Sequence, residues 1–296
     1  MSRPRRFLQL DVFANQLFDG NPLAVVVDAE GLDGAAMQRI ARWTNLSETA
    51  FLLAPTEPQA DYHVRIFTPR QELPFAGHPS VGSAYVAIEA GLVEPRKTHL
   101  IQQCAAGLLP VRVVGQGPSR IIHVQAPPAQ LHPIVDAERA LLAAALRTEL
   151  AADEIMRLDN GPQWILCNLR DASVVRALAP DMSAIAAWCT RHGSVGISVF
   201  GREHAGDAAM AVRAFCPADG IPEDPVTGSA NAAIMAWLAA RGDRDGYGLS
   251  YRASQGREVG RDGLVEVARD AATGAVTIGG ACVIGVRGQL QLAVPD

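Results

Sequence analysis

The 296-residue sequence predicts an α+β fold of two pseudo-symmetric lobes, each a curved, mostly antiparallel sheet around a central helix. Three observations predict it. The chain repeats itself at half its length. Each half contains short strand-like runs with one amphipathic helix set among or beside them. Each half then contains a second, more apolar helix, the mark of a segment buried on most sides.

The repeat comes first. "VRIFTP" (Val64 to Pro69) returns as "VRAFCP" (Val212 to Pro217), an offset of 148 (212 − 64). "LDGAAMQRIARW" (Leu32 to Trp43) faces "PDMSAIAAWCTR" (Pro180 to Arg191), and "ETAFLL" (Glu48 to Leu53) faces "GISVFG" (Gly196 to Gly201). "HPSVGSA" (His78 to Ala84) faces "DPVTGSA" (Asp224 to Ala230) at a nearly equal offset of 146 (224 − 78). Such a period far exceeds that of solenoid repeats, so the halves read as two similar lobes. They join near "QAPPAQLHP" (Gln125 to Pro133), where prolines interrupt regular structure. The expected division is 1–127 and 128–283, with a last strand over roughly 284–296 returning to the first lobe.

Within the first lobe, strands are expected over Phe7 to Val12, Leu23 to Val27, Ala50 to Leu53 and Tyr62 to Phe67, with a helix over Gly34 to Trp43. A second helix starts near Pro79 and runs to about Glu89, with Val81, Ala84, Tyr85 and Ile88 on one face. Its counterpart spans about Ser229 to Arg241 and contains "SANAAIMAWLAA", apolar almost all round. The closing "AVTIGGACVIGVRGQLQLAV" reads as strands bent at glycines.

Composition narrows the function. A net charge of −5 lacks the basic face of a nucleic-acid binder. No run reaches the roughly 18 apolar residues of a membrane span, and Phe7 to Val12 reads as a strand rather than a leader segment. Cys104, Cys167, Cys189, Cys216 and Cys282 are scattered without a C-x-x-C pair, as in a reduced, cytoplasmic protein without a disulfide frame or zinc site. Neither "GQGPSR" (Gly115 to Arg120) nor "GISVF" completes a dinucleotide fingerprint or a nucleophile elbow, and there is no P-loop or H-E-x-x-H. No metal or organic cofactor is expected.

The chemistry concentrates at the two helix starts. The first turn of a helix has N–H groups without intrahelical acceptors and the positive end of the dipole. Glycine there lets a ligand approach the backbone closely. One such start in each lobe, facing a shared cleft, suits a small carboxylate. His78 and Asp224 flank the two starts, although a helix cap and a turn-former before proline are equally ordinary roles for them. Glu48 precedes an apolar strand, where desolvation would raise its pKa toward general acid/base use. At the half-length offset its counterpart is Gly196, so only one lobe offers a carboxylate there.

"GNP" (Gly20 to Pro22), "NLSETAF" (Asn45 to Phe51), "FTPRQELPFAGHPSVGSA" and "EDPVTGSA" together resemble the signature segments of the PhzF-like (phenazine-biosynthesis F protein-like) family, in the right order over nearly the whole chain. The resemblance implies the diaminopimelate epimerase-like fold, an active site between the lobes, and an isomerase that moves a proton with one glutamate and no cofactor. It assigns that glutamate to Glu48, the family's histidine and aspartate to His78 and Asp224, and carboxylate binding to Gly77, Gly228 and Ser229. A homodimer is common in that family. Racemases of the wider superfamily use a cysteine at each helix start. Here those places read Ala76-Gly77-His78 and Thr227-Gly228-Ser229, so two-thiol racemisation is not expected. Ala76 also departs from the cysteine found before Gly-His in many relatives. The reading that follows is proton transfer within a small, unsaturated, cyclic carboxylate. A dehydratase acting on a β-hydroxy carboxylate would need the same residues, and a non-catalytic carboxylate-binding protein would keep the same cleft.

Overall fold

The computed structural model describes residues 3–242 and 244–292. Residues up to Gln125, together with those from Gly279 onward, form one compact unit, and Ala126–Ile278 form the second. Residues 293–296 of the expected returning strand lie outside the described residues.

The first unit contains β1 (Arg3–Val12), β2 (Asn21–Val26), α1 (Gly34–Thr44), β3 (Thr49–Leu53), β4 (Tyr62–Phe67), β5 (Glu72–Leu73), α2 (Gly77–Glu89), β6 (His99–Cys104), β7 (Gly107–Val114) and β8 (Ile121–Gln125). The second contains β9 (Gln130–His132), α3 (Asp136–Leu146), β10 (Ile155–Asp159), β11 (Gln163–Asp171), α4 (Ala172–Ala177), α5 (Met182–His192), β12 (Gly196–Arg202), β13 (Met210–Cys216), β14 (Ile221–Asp224), α6 (Gly228–Ala240), β15 (Ser250–Gln255) and β16 (Gly263–Arg269). Strand β17 (Val276–Leu292) begins in the second unit and continues into the first.

In the first unit β17, β1 and β2 pair antiparallel, β2 and β3 run parallel, and β3 pairs antiparallel with β4. Strand β4 runs parallel to β6, and β6, β7 and β8 form a meander. Strand β8 also pairs with β17, which closes the ring. Helix α2 packs against β1, β2, β3, β4 and β8, and every residue from Gly77 to Ile88 is buried. Gly82 sets the distance of approach: a Cβ there would lie 2.5 Å from Leu23 Cδ2 and 2.9 Å from Val12 Cγ2. The amphipathic α1 covers the outer face, with Met37, Ile40 and Ala41 on Val26, Phe51 and Phe67. Its start is fixed by Asp33, whose carboxylate accepts from the Ala36 N–H at 2.7 Å.

The second unit repeats the pattern. Strands β10 and β11 are antiparallel, β11 and β12 parallel, β12 and β13 antiparallel, β13 and β15 parallel, and β15 and β16 antiparallel. Helix α6 packs on β10, β11 and β16. A separate apolar cluster gathers Leu142, Val175, Ile185 and Trp188 from α3, α4 and α5 with Ile165, Val199 and Phe215 of the strands. Helices α3 and α4 are not legible in the sequence: α3 follows the proline-rich join, and α4 is a six-residue helix that continues directly from β11.

The ladders correct part of the repeat. Thr49 pairs with Phe67 and Ile197 with Phe215, so the offset of 148 holds through β3 and β4 and matches Glu48 to Gly196. Beyond them, Ile66 pairs with Leu73 but Ala214 with Asp224. Three extra residues enter in the turn Pro217–Asp219, and the helix starts stand 151 apart (228 − 77). Gly77 therefore matches Gly228, and His78 matches Ser229 rather than Asp224. The shared "GSA" misleads, since Gly82 lies inside α2 whereas Gly228 opens α6. Helix α2 also begins two residues before Pro79, which still loses no intrahelical bond because it sits in the first turn. The C-terminal segment is one continuous 17-residue strand rather than several. Its glycines mark close approach: at Gly279 a Cβ would lie 2.3 Å from His123 Cδ2.

Candidate active site

In the first unit, α1 ends at Asn45, whose left-handed backbone turns the chain back toward β3 and leaves Glu48 one residue before that strand. The ring delivers the start of α2 to the same place. His78 Nε2 lies 3.5 Å from Glu48 Oε2, with side chains 7% and 16% exposed. Glu48 Oε2 is buried and accepts no hydrogen bond. Desolvation pushes the Glu48 carboxyl up to about 7 from its ordinary 4.5, opposed by a hydrogen bond from Ser47. A carboxyl that titrates near neutrality can both take and return a proton. The first intrahelical bond of α2 runs from the Ser80 N–H to the Ala76 carbonyl at 3.1 Å. The N–H groups of Gly77 and His78 thus have no intrahelical acceptor, and the N-cap residue Ala76 makes no side-chain cap.

The start of α6 in the second unit is more heavily braced. Asp224 ends β14, and its Oδ2 accepts from the Thr227 hydroxyl at 2.5 Å. The buried Gln255 of β15 ties this corner together. Its amide nitrogen donates to the Asp224 carbonyl and to Thr227 Oγ1 at 3.1 and 2.9 Å. Its oxygen accepts from the Thr227 N–H at 3.0 Å and from Asn231 Nδ2 at 3.1 Å. Gly228 and Ser229 follow as the first two helical residues, with N–H groups that have no intrahelical acceptor. The Ser229 carbonyl accepts from Asn160 Nδ2 at 2.9 Å and its hydroxyl oxygen from Trp164 Nε1 at 3.1 Å.

The sequence-predicted residues thus fall into two groups: Glu48, His78 and Gly77 in one unit, and Asp224, Gly228 and Ser229 in the other. The bracing residues were missed. Asn231 is a signal that sequence reading can use, being a buried amide in an otherwise apolar helix. Gln255, Asn160 and Trp164 come from distant strands and turns and carry no local signal.

At the position matching Glu48, the second unit is closed. A Cβ on Gly196 would lie 2.4 Å from the Phe215 carbonyl oxygen and 2.9 Å from both Cys216 Sγ and Trp164 Cζ3. No side chain fits there without displacing backbone. Among the described residues no group of three or more His, Cys, Asp or Glu side chains is arranged to hold a metal ion. Among the described residues no helix is long and apolar enough to cross a membrane.

The sequence profile of the phenazine biosynthesis-like protein family matches residues 10–288. The chain belongs to that family. Two curated relatives are similar over most of both chains. One is antisense-enhancing sequence 1 of Schizosaccharomyces pombe, 34% identical over 93% of this chain and 94% of its own. The other is the trans-2,3-dihydro-3-hydroxyanthranilate isomerase of Pseudomonas aeruginosa, 36% identical over 86% and 87%. A crystal structure of a PhzF-family phenazine biosynthesis protein from Bacillus anthracis superposes with a TM-score of 0.83 at 26% identity, covering 98% of this chain and 100% of that one. A probable proline racemase from Agrobacterium radiobacter shares the fold at a TM-score of 0.68 and 15% identity, covering 98% and 93%. The fold is thus the epimerase-like one expected from the sequence, and this PhzF-like protein is an isomerase.

Proposed function

We propose that this PhzF-like isomerase moves a proton within a small unsaturated carboxylate, using Glu48 as the single acid/base and no cofactor. The observation that carries the reading is the asymmetry of the repeat. Glu48 is desolvated and lies beside His78, whereas its counterpart Gly196 has no room for any side chain. One base serves one face of a carbon, which favours an allylic shift over inversion.

The substrate carboxylate docks on N–H donors of the helix starts, at Gly77, Gly228 and Ser229. Ionised Glu48 removes a proton from a carbon acidified by conjugation. The C–H electron pair spreads toward the carboxylate, where the preorganised donors stabilise it, and the double bond shifts. The proton returns from Glu48 to the distal carbon, directly or by relay through His78 or Asp224, and the glutamate is ionised again. Atoms and charge balance without a co-reactant.

The test uses trans-2,3-dihydro-3-hydroxyanthranilate and a panel of small cyclic unsaturated carboxylates in heavy water, followed by proton NMR with wild type and Glu48→Gln. A double bond that moves, or deuterium that enters a substrate carbon, with wild type alone is the expected result. Exchange that persists in the variant removes Glu48 from this role. A product lighter by one water makes the enzyme a dehydratase.

A further inference from the structure

We propose that Trp164 is a positioning residue that fixes the Ser229 hydroxyl as a hydrogen-bond donor toward the bound carboxylate. The inference rests on the reading of Ser229 as a carboxylate-binding residue.

An indole N–H can only donate. Trp164 Nε1 lies 3.1 Å from Ser229 Oγ, so the serine oxygen accepts in that contact and its own proton points elsewhere. Among the described residues no hydrogen bond takes that proton. Asn160 holds the Ser229 carbonyl at 2.9 Å, which fixes the backbone from which the hydroxyl projects. Ser229 is itself half-buried at the open end of α6, beside backbone N–H groups without intrahelical acceptors. One lone pair of the oxygen is occupied by a rigid donor behind it. The O–H is thereby left to donate to a ligand at the helix start.

The hydrogen bond is not a mere requirement of burying an indole. Trp188, also buried, has an Nε1 without a hydrogen-bond partner. Trp164 is 2% exposed and is held on β11 directly opposite Gly196 of β12, against which its ring packs. The same side chain therefore helps to fill the place that Glu48 occupies in the other unit and orients the serine that matches His78. In the second unit a tryptophan ring crowds the place that a carboxylate takes in the first.

The test measures Kd for anthranilate and benzoate by calorimetry in wild type, Ser229→Ala, Trp164→Phe and the double variant. Expected are losses of about five- to tenfold for each single variant and no further loss in the double variant beyond Ser229→Ala. Where Trp164→Phe does not fold, benzothienylalanine at position 164 keeps the ring size and replaces N–H by sulfur. Wild-type affinity in the Trp164 replacement, or losses that multiply in the double variant, overturns the positioning role. Unchanged binding by Ser229→Ala, or no binding of either probe to wild type, instead overturns the carboxylate reading on which it rests.

Discussion

Holding Glu48 in a desolvated position costs the fold stability, and the cost depends on pH. Its folded pKa of about 7 stands above the ordinary 4.5, so between those values the folded state holds a proton that the unfolded chain has released. The cost is absent below about pH 4.5, where both states hold the proton, grows as pH rises, and is complete above about pH 7. At about 1.4 kcal/mol per pH unit the full cost is about 3 kcal/mol, and about 2.5 kcal/mol of it falls between pH 5 and pH 8.5. Glu48→Gln keeps the shape and removes the charge. Urea unfolding of wild type and variant at both pH values should therefore give a variant that gains about 2.5 kcal/mol on wild type between pH 5 and pH 8.5, while losing turnover. Repeating the pair in a His78→Asn background removes the imidazole 3.5 Å away, so that the effect reports Glu48 alone. A gain under about 0.5 kcal/mol, or a variant less stable than wild type at pH 8.5, refutes the claim that desolvation dominates at Glu48.

Two further substitutions test the second unit. Gly196→Ala drives a methyl group to within 2.4 Å of the Phe215 carbonyl oxygen, and should lower unfolding free energy by about 1–3 kcal/mol in urea; wild-type stability would mean that the β12–β13 corner yields freely. Gln255→Leu leaves the Thr227 N–H and the Asn231 amide without the oxygen that both use, and should cost about 2–4 kcal/mol together with a fall in kcat. Unchanged stability and turnover would show that Gln255 does not brace the α6 start.

Much of this architecture is legible in the sequence because the repeat is written in periodic apolar runs. Strand β4 falls at Tyr62–Phe67 as expected, and α1, α2 and α6 lie within two residues of their expected bounds. What misled was local identity. The two "GSA" triplets suggested one register, whereas the backbone pairing of Ala214 with Asp224 imposes another. The turn Pro217–Asp219 absorbs three residues without disturbing the strand before it, and a short surface turn leaves no apolar pattern from which its length can be read. Glu48 and His78 were legible because each sits in a distinctive segment. Gln255 and Trp164 were not, because a buried amide on a strand and a core indole look alike wherever they occur. Only the ladder that brings β15 beside β13 and β12 beside β11 makes them neighbours of α6 and Gly196.

The central claim is that one glutamate carries the proton from one carbon to another. It is tested most directly by turning over trans-2,3-dihydro-3-hydroxyanthranilate, or the substrate that the heavy-water panel identifies, labelled with deuterium at the carbon that loses its proton, in ordinary water. A monoprotic carboxyl shielded from solvent returns part of what it removes. The account predicts measurable deuterium at the distal carbon of the product and none transferred by Glu48→Gln. Complete washout of the label in wild type at the earliest turnover would contradict it, because the proton removed would then be lost to solvent instead of being carried by the carboxyl to the distal carbon.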